Sequence, residues 1–297
     1  MIFRPRSKVA RPSVLANRNS LAASERQLAK AYYSRVPSPT ASYPFARYKH
    51  DDVRAALVKL FGTKCAYCEI EAAGAPTHIE HYRPKGGVHP NGQTIAKFGY
   101  WWLASTWRNL LISCAFCNTV NTHDDDTGTT AVLGKANKFP LGAPSARATR
   151  PTEVRREKPL LLDPTVDDPR NHIRFEVVVG LDRRLECVVR PVLRNGLEDE
   201  RGRATIDTVG LRREELNRLR GDRIKSLRSL LEVIEDDIRR NQATYPGYQP
   251  QELSTLSRKK IQEVAEDYLD WKRPFAAACR AEVKEWKARM RALAYGP

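Results

Sequence analysis

Nothing in this 297-residue sequence constrains its fold as tightly as two short cysteine pairs, Cys65-Ala-Tyr-Cys68 and Cys114-Ala-Phe-Cys117. Thiolates two residues apart in a tight turn supply half of a tetrahedral metal site, and two such turns supply a complete set of four sulfur ligands, a donor set that suits Zn2+. A closed site of this kind leaves no position for water or substrate, so its role is structural. The alternatives are a redox pair and unligated buried thiols. A redox function needs only one Cys-x-x-Cys, ideally in a thioredoxin-like setting, so two pairs favour the metal. The remaining cysteines, Cys187 and Cys279, stand alone and read as small apolar residues.

Between the knuckles lie His78-Ile-Glu80-His81-Tyr-Arg83-Pro-Lys85 and Trp107-Arg-Asn109-Leu110, and the second knuckle is followed directly by Asn118. The arrangement resembles the HNH (ββα-metal) endonuclease family in its zinc-knuckle form. That pattern has a Cys-x-x-Cys, an acidic residue and His ending a strand, an Asn-Leu pair in a loop, then Cys-x-x-Cys with His or Asn opening a helix. The resemblance implies that His81 is the general base that activates water and that Glu80 and Asn118 hold a catalytic divalent ion. It also implies that Asn109 fixes the loop that orients His81. Two departures matter: Glu80 stands where Asp is commoner, and Asn118 replaces the final His. An amide oxygen is a harder donor than imidazole, which moves the expected catalytic ion towards Mg2+ or Mn2+.

The residue types suit those roles on their own chemistry. Histidine titrates near neutrality, and phosphodiester hydrolysis needs a base for water and a charge to stabilise the leaving oxygen. Neighbouring side chains of a strand face opposite sides, so Glu80 and His81 converge only where the strand ends, as Pro84 and Gly86-Gly87 suggest it does. Lys85 and Arg83 are candidate phosphate contacts. His78 is expected on the face opposite His81, as a packing or phosphate-contacting residue. Some members of the family carry a further metal-binding His on the last helix, which makes His123 a candidate ligand there. The run Asp124-Asp125-Asp126 reads as a solvated loop.

A formal net charge of +16 and a pI near 9.7 point to a polyanionic partner, of which nucleic acid is the commonest. No stretch approaches the roughly 20 apolar residues of a membrane span, and Met1-Ile-Phe-Arg lacks a signal-peptide core. Cysteines used as metal ligands fit a cytoplasmic location.

In chain order, Arg4, Arg6, Lys8 and Arg11 form a basic segment that reads either as a flexible tail or as a phosphate contact. Helices are expected over 20–33, with Leu21 and Leu28 on the apolar face, and over 51–61, capped by Asp51 or Asp52 and stopped by Gly62. A strand follows at 77–81, then a loop containing Gly86, Pro90, Asn91 and Gly92, an aromatic segment at 99–107 read mainly as core, and a short buried strand at 110–113. One helix is expected after Asn118. Beyond a basic crossing at 143–159, a hairpin is expected from Ile173-Arg-Phe-Glu-Val-Val-Val and Leu185-Glu-Cys-Val-Val-Arg. Helices follow at 198–208, 212–241, 251–271 and 274–293, the second carrying an apolar stripe and ending at a break over 245–250. The expected fold class is α+β: a zinc-knuckled ββα-metal core embedded in a mainly α-helical body with one β-hairpin. Three regions are expected, 1–62 (basic segment and helices), 63–142 (nuclease core) and 143–297 (hairpin and helical region).

The layout narrows the resemblance. Leu161-Leu-Asp-Pro164, Thr205-Ile206, Leu211 and Arg273-Pro-Phe275 follow the core, and over residues 55–285 the chain resembles the HNH nuclease subunit of Septu-type anti-phage defence and its retron-associated relatives. The resemblance implies DNA as substrate and an ATPase partner. No Gly-x-x-x-x-Gly-Lys-Ser/Thr occurs here, so ATP chemistry belongs to another chain. The resulting expectation is a metal-dependent DNA endonuclease. Its rivals are a zinc-stabilised nucleic-acid-binding subunit without catalysis and an RNase acting on tRNA or other host RNA.

Overall fold

The computed structural model describes residues 1–16, 19–71, 77–89, 97–180, 182–244 and 253–295. Pro90, Asn91, Gly92, the break over 245–250 and the expected helix start at 251 lie outside the described residues. Helix α1 spans Leu21–Tyr33 with Ser20 as its N-cap, and α2 spans Asp51–Phe61. The α2 cap is His50, whose ring nitrogen accepts from the Asp52 backbone N–H; Asp51 and Asp52 lie inside the first turn, where their charge complements the helix dipole. Gly62 ends α2 at a φ of 74°, a conformation that suits glycine. The apolar face of α1 differs from expectation. Leu21 and Leu28 are 49% and 61% exposed, while Ala22, Ala23, Glu25 and Ala29 face inward. Glu25 is satisfied there by the Ala46 and Arg47 amides and the Ser105 hydroxyl.

Strand β1 (His78–His81) pairs antiparallel with β2 (Leu110–Ser113), His81 opposite Leu110. All four residues of β2 are buried, and α2 packs against it. The short helix α3 (Ala115–Asn118) follows β2. The chain then departs from expectation: α3 ends at Asn118, and a second hairpin of β3 (Asn121–Asp124) and β4 (Thr130–Leu133) takes the place of a longer helix. Its turn is fixed by Asp125, whose Oδ1 accepts from the Thr127 and Thr129 amides. The Asp126 side chain is largely shielded between Arg190 (2.7 Å) and Arg212 (2.6 Å), so this acidic run anchors the hairpin to later elements.

Strands β5 (Ile173–Val179) and β6 (Leu185–Pro191) form the expected hairpin, and a small one of β7 (Leu193–Arg194) and β8 (Leu197–Glu198) follows. Helix α4 (Glu200–Val209) starts at an Asp199 cap and ends at left-handed Gly210. Helix α5 (Glu214–Thr244) buries Leu216, Ile224, Leu227, Leu231, Ile234 and Ile238 along one stripe, while Leu219 is exposed. It packs on β6 and against α6 (Thr255–Glu263) and α7 (Ala276–Tyr295). A π turn over Val264–Leu269 follows α6. Cys187 and Cys279 are fully buried thiols, pushed up by burial to about 11 and about 12.

Two arginines of the basic segment before α1 are packed, while Lys8 and Arg11 are exposed. Arg4 donates to the Leu60 carbonyl and stacks on Trp271, and Arg6 donates to the Leu110 carbonyl at 2.7 Å beside Trp107. Two guanidiniums offered by the sequence as phosphate contacts are therefore committed to the core. Trp102 and Trp107 are buried, in line with the core reading of the aromatic segment.

Candidate metal centre and adjoining cleft

Cys65, Cys68, Cys114 and Cys117 are all buried, and their sulfurs lie within 4.8 Å of one another. Zn–S bonds of about 2.3 Å in a tetrahedron require sulfurs about 3.8 Å apart. Cys68 Sγ and Cys114 Sγ stand 3.7 Å apart, so the four residues fit a zinc ion. The first knuckle turns back through the Glu69 amide bonding the Cys65 carbonyl, and the second through the Asn118 amide bonding the Cys114 carbonyl. Four thiolates around a divalent cation carry two excess negative charges. The Arg213 guanidinium lies 3.8 and 3.7 Å from Cys117 Sγ. Burial opposes its charge, but the neighbouring thiolates outweigh that effect and raise its pKa. Arg213 also binds the Val209 and Gly210 carbonyls, so one side chain closes α4 and faces the sulfur cluster.

Beside this centre lies a cleft of about 700 Å³, lined among others by His78, Glu80, His81, Lys85 and Asn118. His81 Nε2 lies 2.9 Å from the Ala104 carbonyl. A carbonyl can only accept, so Nε2 carries the proton and the lone pair resides on Nδ1. Among the described residues Nδ1 has no hydrogen-bond partner. The ring packs edge-to-face with Tyr48, with centroids 4.5 Å apart. Burial, reinforced by Lys85, pushes the His81 pKa down to about 3.

Glu80 is buried beside it, and burial raises its carboxyl above the ordinary range against the pull of Lys135. Lys135, fully buried, places Nζ 2.5 Å from Glu80 Oε1 and 2.8 Å from the His81 carbonyl. Asn109 Oδ1 accepts from the Arg83 amide at 2.8 Å and its Nδ2 donates to the Arg83 carbonyl at 2.9 Å. That side chain clamps the loop leaving β1 and also donates to the Leu103 carbonyl at 3.3 Å, and among the described residues it makes no hydrogen bond to His81. Asn118 Nδ2 lies 2.9 Å from His78 Nδ1, which leaves the amide oxygen for other partners.

The cleft thus brings together Glu80, His81, Asn118 and Lys85 of the residues singled out from sequence, and not Arg83 or His123. Arg83 is tied to buried Glu157 at 2.8 Å and lies over Tyr82, Tyr100 and Phe139, so its guanidinium is engaged within the protein rather than in the cleft lining. His123 stands on β3, not on a helix, with its ring 5.4 Å from Phe116; the premise of a ligand on the last helix fails with that helix. His78 lines the cleft, because it shares a face of β1 with Glu80 two residues on. Sequence reasoning missed Tyr48, the Ala104 carbonyl and Lys135. No local pattern marks them, since each arrives from a distant part of the chain.

Fold and site together define a mixed helical and small-sheet protein with a four-cysteine centre able to bind zinc. No helix among the described residues is long and apolar enough to cross a membrane. No family model matches the chain, and no solved structure matches it. Two curated relatives do. The chain is 38% identical over 169 residues to Septu protein PtuB of Bacillus mycoides (strain KBAB4), covering 56% of this chain and 52% of that protein. It is 28% identical over 126 residues to Septu protein PtuB of Bacillus thuringiensis, covering 41% and 32% respectively. The chain therefore spans about half the length, or less, of the curated relatives it matches.

Proposed function

We propose that this chain is a metal-dependent nuclease of the HNH type that hydrolyses DNA phosphodiester bonds as a component of a Septu-like anti-phage defence system, working with an ATPase partner. The similarity to Septu protein PtuB supports the defence role. The observation that carries the chemistry is the His81 tautomer: Nε2–H donates to the Ala104 carbonyl at 2.9 Å, so Nδ1 keeps a lone pair in the cleft that also holds Glu80 and Asn118. In this reading His81 Nδ1 takes a proton from the attacking water, and Ala104 holds the ring while the positive charge develops. The ββα-metal element corresponds to β1, β2 and α3. The second oxygen of Glu80 and the amide oxygen of Asn118 are hard donors, suited to Mg2+ or Mn2+. Such an ion supplies charge neutralisation at the phosphate and the leaving oxygen. Lys85, lining the same cleft, adds a positive charge for the flanking phosphate. Asn109 contributes by holding the Arg83 backbone, and so the exit of β1, in place.

A second reading has its own observation. A base held near pKa 3 is a weak one, which suits a zinc-stapled binding subunit without catalysis. The hydrolytic reading answers this electrostatically, because an anionic phosphate entering the cleft favours the imidazolium. Supercoiled plasmid and labelled RNA offered side by side, with Mg2+ or Mn2+ and with chelator, separate the readings. Metal-dependent nicking of DNA alone is the expected result. Cutting of RNA alone assigns the RNase activity. Binding without cutting, with an ATPase partner supplied, assigns the non-catalytic role. Co-expression with a candidate ATPase, followed by co-elution, checks the partner.

A further inference from the structure

Fully buried lysines are rare because an ammonium without a partner in the interior is costly, and Lys135 is entirely shielded from solvent. Its amine contacts two consecutive residues of β1 at once, the Glu80 carboxylate at 2.5 Å and the His81 carbonyl at 2.8 Å. Its backbone is pinned as well: the Lys135 amide donates to the Cys117 carbonyl at 2.9 Å, and the next amide, of Ala136, donates to the Asn118 carbonyl at 2.7 Å. Gly134, at a φ of 113°, permits this approach, since a Cβ there would lie 1.8 Å from the Thr119 carbonyl oxygen. The segment 134–136 therefore runs alongside 117–119 and delivers its amine beneath the end of β1.

We propose that Lys135 is a positioning residue: it fixes one oxygen of Glu80 and the backbone of His81, so that the other Glu80 oxygen is presented to a divalent cation in the cleft in a set orientation. This rests on the reading of the cleft as a hydrolytic metal site. Two effects oppose each other when the lysine is removed. Loss of the ammonium relieves its repulsion of an incoming cation, while loss of the anchor leaves the carboxylate free to turn away. Partners that orient a ligating carboxylate typically matter by roughly 10- to 100-fold in metal affinity, so loss of the anchor dominates.

The test is Mn2+ binding by calorimetry to the zinc-loaded full chain, wild type against Lys135→Met, with zinc content measured on both. The expected result is unchanged zinc and Mn2+ affinity weakened roughly tenfold or more. Unchanged or tighter Mn2+ binding by Lys135→Met overturns the proposal. Thermal midpoints of Glu80→Gln, Lys135→Met and the double variant give a readout that does not depend on activity. Each single change leaves the other partner buried alone, so the double is expected to melt higher than the sum of the two losses allows, whereas additive losses overturn the pairing. Should Lys135→Met alone fail to fold, a folded double variant supports the pairing and an unfolded one overturns it. A wild type that binds Mn2+ but, with the partner supplied, cuts no nucleic acid sinks the nuclease reading and leaves the role of Lys135 standing. A wild type that binds no Mn2+ sinks both.

Discussion

At the scale of single residues, the cleft depends both on backbone carbonyls and amides and on side-chain pairs, Glu80 with Lys135 and Asn118 with His78. His81 is oriented by Ala104, and the loop beyond it by Asn109. Asn109→Ala removes bonds to both backbone groups of Arg83 inside the protein. A loss of stability of roughly 1–3 kcal/mol is expected, read as a lower thermal midpoint, together with slower cleavage. The depressed His81 pKa gives a signed pH expectation. The unfolded chain takes up this proton near pH 6.5 but the folded chain only near 3, so His81 leaves stability untouched above about 6.5 and erodes it as pH falls from there towards about 3. Acid unfolding of His81→Gln, matched to wild type for bound zinc, is expected to show a shallower decline over that window. An equal decline in both would show that His81 is not buried as a neutral ring.

At the scale of elements, the metal centre joins parts that the sequence presents separately. The knuckles precede and follow the β1–β2 hairpin, and Arg213 reaches Cys117 from between α4 and α5. Arg213→Met is expected to accelerate zinc release to a chromophoric chelator while leaving the four sulfurs in place; an unchanged release rate would show that the guanidinium does not stabilise the thiolates. Strand β2 is buried along its whole length, and Leu111→Ala is expected to cost roughly 2–5 kcal/mol, measured by denaturant unfolding. Local signals made much of this layer legible in the sequence. Gly62 and Gly210 mark helix ends, the alternation in 173–179 and 185–191 marks a hairpin, and the α5 stripe recurs at helical spacing. The hairpin after Asn118 was not legible, because Asn121-Thr-His-Asp124 has no apolar period of its own and is held instead by Arg190 and Arg212 gripping Asp126. The buried face of α1 was missed for a related reason: its contacts are alanines and a hydrogen-bonded glutamate, while its leucines face outward.

At the scale of the whole molecule, the charge of +16 acts across surfaces that single motifs do not define. Arg4, Arg6 and Arg83 show that a basic residue offered as a phosphate contact can be spent on carbonyls, aromatic rings or a buried glutamate. Lys85 remains in the cleft. DNA affinity is expected to fall steeply with salt, and Lys85→Ala to reduce the log–log slope by about one phosphate contact; a slope identical to wild type would remove Lys85 from the interface. The clustering of the four cysteines was legible because a metal site demands thiols at short spacing, and Glu80, His81 and Asn118 do line one cleft. Lys135, Tyr48 and the Ala104 carbonyl were not, because only the folded chain brings them to His81.

The most direct test of the hydrolytic reading is the rate of plasmid cleavage by wild type and His81→Ala at equal zinc content, with Mn2+ and the partner present. Loss of roughly 100- to 10,000-fold in the variant is the expected result, while equal cutting by the two proteins would contradict it.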